Sequence, residues 1–150
     1  MSKTLNELMI WTQEFHREMA ERFQQAAKAT TNERSRMLLE YLAGHENQLE
    51  ELVERFREKA PENALNTLIS EYKEQFHPSK HDSRNHPYAT METGDILHEL
   101  EEQHRRVIRL YDHFEDFVQG SAREVLTQLV EQEEQTLLQM VQSANRLEDI

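Results

Sequence analysis

Four residues interrupt the apolar stripes of this chain with groups that can hold a proton or a metal ion: His16, His45, His104 and Glu133. His45 falls in the line Leu38, Leu42, Leu49, Leu52 and Phe56, at a position where the helical period asks for another aliphatic side chain. His104 stands likewise among Leu97, Leu100, Val107 and Tyr111, and Glu133 among Leu126, Leu129, Val130, Leu137 and Met140. His16 lies on the flank of a face made by Leu5, Leu8, Phe15, Met19 and Phe23. Carboxylates accompany them. Glu101 precedes His104 by three residues and shares its helical face, while Glu46 and Glu134 each adjoin an inward position and reach the core from its edge. Imidazole together with carboxylate suits iron or manganese, with zinc the lesser candidate, and several carboxylates allow a second ion by bridging. His45, His104, Glu101 and Glu133 are the first ligands to consider; His16, Glu46 and Glu134 come second.

Whether these groups meet depends on the elements that carry them. Thr4-Leu5-Asn6-Glu7 reads as a capping box that opens a helix running to about Lys28, and Thr30-Thr31-Asn32-Glu33 reads as a second box that opens a helix to about Lys59. So short a link makes the two antiparallel neighbours. Pro61 fits the first turn of a new, short helix through Leu65, Leu68, Ile69, Tyr72 and Phe76 that must end near Pro78. The stretch from Pro78 to Pro87 reads as surface loop. A third long helix, starting at Thr90, carries Leu97 to Val118 and is expected to stop at Gly120; Ser121-Ala122-Arg123-Glu124 caps a fourth that carries Leu126 to Leu147. The expected fold is all-α: one domain over residues 1–150, two helix hairpins joined by a crossover of about thirty residues that contains a short helix. Measured from the caps, His16, His45, His104 and Glu133 all lie near mid-helix, at depths differing by roughly 4–5 Å at the helical rise. They are therefore expected to converge at the bundle centre.

The totals agree and exclude several functions. At 150 residues, with 37% hydrophobic and 31% charged residues and only 3 Gly and 3 Pro, the chain is long enough for one core walled by solvated helices. A net charge of -12 argues against a nucleic-acid partner, because binding phosphate backbones needs clustered basic surface. Without cysteine there is no thiolate nucleophile and no thiolate metal site. No stretch is long and apolar enough for a membrane span and no basic-then-apolar leader is seen, so a cytoplasmic protein without a membrane partner is expected. A homodimer is a prior common to soluble bundles.

At this point the chain resembles the ferritin-like, rubrerythrin-type four-helix bundle superfamily. The likeness is architectural over nearly the whole length, and locally Leu42-Ala43-Gly44-His45-Glu46-Asn47-Gln48-Leu49 is similar to the family's second-helix pattern, in which an inward Glu precedes a His by three. Glu46 matches that glutamate and Leu49 stands in place of the histidine. On the fourth helix Glu134 matches the glutamate, and Leu137 again replaces the histidine. Glu101-Glu102-Gln103-His104 does contain Glu-x-x-His, although on the third helix; His16 is the nearest match to the first-helix glutamate. The metal motif is thus degenerate. The resemblance implies a non-haem (di)metal centre and dioxygen, peroxide or metal-oxidation chemistry.

Two other readings fit the same residues. Buried His and Glu can form a hydrogen-bonded network that fixes helix register in a non-catalytic binding or dimerisation module, with no cofactor at all. A sensor or carrier holding a small molecule between the helices is the other. His77, His81 and His86 in the crossover read as solvated loop, since Pro78 breaks the helical spacing that His77 and His81 would need. A hemerythrin-like His followed four residues later by Glu is absent: His45 has Leu49 there and His104 has Ile108. Tyr41 and Tyr111 are expected to face inward as packing residues with bonded hydroxyls.

Overall fold

The computed structural model describes residues 3–69 and 87–148, and four long helices account for most of them. Helix α1 (Leu5–Ala29) starts as expected: the Thr4 hydroxyl accepts the Glu7 N–H at 3.1 Å, and the Glu7 carboxylate accepts the Thr4 N–H at 3.3 Å. Helix α2 (Glu33–Lys59) starts differently from expectation. Thr30 closes α1, and the Asn32 side chain caps α2 by accepting the Ser35 N–H at 3.2 Å, so the Thr30 capping box is not formed. At the far end of the hairpin, Arg57 reaches back to Asn6 at 3.0 Å and Gln13 at 3.1 Å, which ties the last turns of α2 to the first of α1.

Over residues 61–69 the crossover departs from the expected short helix. Helix α3 is a single turn (Glu62–Leu65), and Pro61 stands just before it as the extended N-cap residue, with φ -62° and ψ 146°. Backbone pairing then takes over. Leu68 and Ile69 form a two-residue strand, β2, antiparallel to β1 (Lys3–Thr4), and the Thr67 carbonyl accepts the Leu5 N–H at 2.9 Å. Tyr72, Phe76 and the His77, His81 and His86 loop lie outside the described residues.

The second hairpin comprises α4 (Thr93–Glu115) and α5 (Gly120–Glu148). A 3-10 turn at Tyr88–Thr90 precedes α4, so that helix begins three residues after the expected Thr90. Gly120 does not terminate α4, which ends at Glu115. Its φ of +66° instead turns the chain into α5, a conformation that a Cβ would strain. The starts of α2 and α4 line one depression, through Thr30–Ser35 on one side and Ala89–Thr93 on the other. Two helices beginning at the same end require a crossover that travels the length of the bundle.

The inner faces meet in one apolar core that includes Leu5, Phe15, Phe23, Leu42, Leu49, Tyr111 and Leu126. Each such fully buried side chain contributes about 1.5–3 kcal/mol relative to exposure, which offsets the cost of any polar group placed among them. Trp11 is partly buried and stacks on Phe15 with ring centroids 5.9 Å apart. Among the described residues no helix is long and apolar enough to cross a membrane.

Candidate metal centre

Seven polar residues are buried among the described ones, and four of them meet at mid-bundle: His16 from α1, Glu46 from α2, His104 from α4 and Glu133 from α5. His16 is the hub. Its Nδ1 lies 2.8 Å from Glu46 Oε2 and its Nε2 lies 2.6 Å from Glu133 Oε1. Ionised carboxylates only accept hydrogen bonds, so both contacts are satisfied when both ring nitrogens carry protons. Burial alone would push His16 down, but the Glu133 and Glu46 carboxylates more than reverse it and hold the ring at about 10.

His104 sits differently. Its Nδ1 faces the Leu100 carbonyl at 2.9 Å, an acceptor only, so that nitrogen donates its proton. Its Nε2 lies 2.6 Å from Glu46 Oε1, yet the contact lacks hydrogen-bond direction, and both atoms stay buried without a hydrogen bond. Glu133 Oε2 is buried and unbonded in the same way. Burial pushes His104 down and the Glu46 carboxylate pushes it further up, for a net raised value. For Glu46, burial acts upward and the His104 and His16 rings outweigh it, lowering the carboxyl to about 2. Donor atoms of His16, Glu46 and His104 all lie within 4.8 Å of one another. Phe15 packs edge-on to both rings, with centroids 5.3 Å from His16 and 6.2 Å from His104, so apolar surface closes that side.

Of the residues singled out in the sequence, the structure brings together His16, Glu46, His104 and Glu133. It leaves His45, Glu101 and Glu134 outside. His45 is half-buried on the flank of α2, packed edge-on to Tyr41 at 4.5 Å, with burial lowering its affinity for a proton. The expected line Leu38, Leu42, His45, Leu49, Leu52, Phe56 is not the innermost one. The buried line of α2 runs Ser35, Leu39, Leu42, Glu46, Leu49, Val53, which seats Glu46 in the core and leaves Leu52 and Phe56 half-buried. The missed signal was phase: Leu39, Ala43 and Val53 share a face with Glu46, and its charge had marked it as an edge residue. Glu101 lies on the flank of α4 beside Arg105 at 3.5 Å, and Glu134 is exposed. Adjacent to the cluster, Tyr111 donates to Thr12 at 2.6 Å and Thr12 donates to the Met9 carbonyl at 3.0 Å, so that inward tyrosine is bonded as expected. Tyr41 is half-buried rather than inward, its hydroxyl 3.5 Å from the Gln139 carbonyl.

No family model and no curated protein matches the chain. A solved structure from Thermotoga maritima, described as a putative ferritin-like diiron-carboxylate protein, superposes with a TM-score of 0.62 at 14% identity, covering 96% of each chain. At that identity the likeness concerns the fold, and the chain has the ferritin-like fold: two helix hairpins joined by a long crossover around a buried His and Glu cluster.

Proposed function

We propose that the bundle centre binds one transition-metal ion, iron or manganese ahead of zinc, on His16, Glu46 and His104, and works as a non-haem centre on dioxygen, peroxide or an oxidisable metal ion. One observation carries this reading: Glu46 Oε1 and His104 Nε2 face each other at 2.6 Å, fully buried, with no hydrogen bond to either. The two atoms form an ion pair without hydrogen-bond direction, and a shared cation between them would satisfy both. Two imidazoles and one carboxylate form a donor set suited to non-haem iron with open positions. Ligands about 2.0–2.2 Å from one ion sit about 3 Å apart when adjacent, comparable with the 2.8 Å between His16 Nδ1 and Glu46 Oε2.

The chain's own residues prepare that set. The Leu100 carbonyl holds the Nδ1 proton of His104 and so fixes Nε2 as the inward donor. Glu133 accepts a hydrogen bond from the Nε2–H of His16, fixing that ring's tautomer and making its Nδ1 more basic. Glu46 presents one oxygen to each imidazole. Phe15 keeps water from the rings, and the low-dielectric surroundings strengthen every charge interaction at the centre. When bound, iron or manganese supplies the electron-transfer chemistry that these side chains lack.

A second reading has its own support. His16 bonded at both nitrogens to carboxylates is complete without a metal, and two imidazolium groups with two carboxylates sum to zero charge, as do one divalent ion, two neutral imidazoles and two carboxylates. The cluster would then be a register-fixing network in a non-catalytic bundle. Anaerobic calorimetric titration of metal-free protein with ferrous and manganous ions separates the two. Uptake of about one ion per chain with release of protons supports the metal centre. No uptake of either ion, with the protein folded, supports the network.

A further inference from the structure

The α4–α5 hairpin opens along its outer side into a groove of about 540 Å³, within the size range of small-molecule sites. Ile108, Leu137, Leu138 and Val141 make its apolar surface, and Leu138 is 57% exposed. The lips carry charge unevenly. Arg105 is matched by Glu101 at 3.5 Å, but Arg109, whose Nε donates to the Arg105 carbonyl at 3.3 Å, has no carboxylate within ion-pair distance among the described residues. Glu134 stands on the opposite lip.

The groove adjoins the polar centre. Ile108 follows His104 by one helical turn and Leu137 follows Glu133 by one turn, so its surface continues the helix stripes that carry those two residues. From Glu101 to Arg109 it extends about 12 Å along α4 at the helical rise.

We propose that this groove binds a small amphiphile with one carboxylate head and an apolar body, the head on Arg109 and the body along Leu137, Leu138 and Val141. That such a molecule is the substrate of the metal centre rests on the function proposed above; its binding in the groove does not. Arg109 offers a fork of donors suited to a carboxylate, while Glu134 on the opposite lip repels negative charge and so favours a ligand with no more than one.

Methyl NMR titration of the metal-free protein with octanoate, and with octylammonium as the opposite-charge probe, tests the binding. Octanoate is expected to shift the Leu137, Leu138 and Val141 signals and to bind about tenfold tighter than octylammonium. Arg109→Gln should remove that preference, Glu134→Gln should tighten octanoate about threefold, and Leu138→Glu should abolish binding. Equal binding of the two probes, shifts elsewhere on the bundle, or groove signals that change with protein concentration because a second copy covers them would overturn the proposal. The substrate role has its own arm. With Mn(II) loaded at the centre, enhanced relaxation of bound octanoate protons supports it, and unenhanced relaxation with binding intact overturns it. No Mn(II) uptake removes the metal centre and the substrate role together, with groove binding judged on the first arm.

Discussion

Replacing Glu133 by Gln probes the polar centre with little change in shape. Glu133 is 1% exposed and His16 fully buried, and the contact between them is 2.6 Å. Breaking a buried ion pair by removing one partner costs about 3–5 kcal/mol, because the remaining charge is left in a dry interior. Glutamine returns one ordinary hydrogen bond worth about 1 kcal/mol, which leaves a net loss of about 2–4 kcal/mol. For a chain of 150 residues that corresponds to a fall in Tm of about 5–15 °C. Urea unfolding of the metal-free protein at pH 6, with Glu134→Gln as the exposed neighbour, is the assay; the neighbour should change stability by under about 0.5 kcal/mol. The loss should shrink as pH rises and the positively charged remainder of the cluster gives up a proton. If Glu133→Gln and Glu134→Gln were equally mild, Glu133 would not be holding a buried imidazolium.

Three further outcomes follow from the same structure. The His16 ring, raised from 6.5 to about 10, contributes stability that is complete below pH 6.5 and lost as pH climbs to about 10. The Glu46 carboxyl, lowered from 4.5 to about 2, contributes stability present above pH 4.5 and lost as pH falls to about 2. Metal-free protein should therefore resist urea best between pH 4.5 and 6.5, and a maximum outside that window would contradict the assigned charges. Gly120→Ala, at φ +66°, should cost about 1 kcal/mol by backbone strain with the cluster unaffected; a neutral result would mean the turn relaxes. Thr4→Ala should cost about 1 kcal/mol by removing the α1 cap, read by the same unfolding curves.

The fold was legible because its signals are local and repeated. The Thr4 capping box, the short links between helices and the long stretch between α2 and α4 each point to two hairpins and one crossover, and each is present. Convergence at mid-bundle was legible too, since helical rise fixes depth: His16, His104 and Glu133 meet where their positions place them. Azimuth was harder. On α2 two candidate stripes differ by a rotation of one residue, and the choice between His45 and Glu46 turned on partners supplied by other helices. A carboxylate enters a core only when cations await it, and those cations, His16 and His104, lie on α1 and α4. The expected helix over Leu65, Leu68 and Ile69 was misread for a related reason. Leu65, Leu68 and Ile69 have helical spacing, but Leu68 and Ile69 pair with Lys3 and Thr4 at the other end of the sequence.

Metal occupancy of variants, measured by elemental analysis after anaerobic loading with ferrous or manganous ion, tests the central claim most directly. About one ion per chain is expected in the parent protein and in His45→Ala, with near-complete loss in His104→Ala and Glu46→Gln while circular dichroism shows the helices intact. No ion in the parent protein, or equal loss in His45→Ala and His104→Ala, would contradict a centre built on His16, Glu46 and His104.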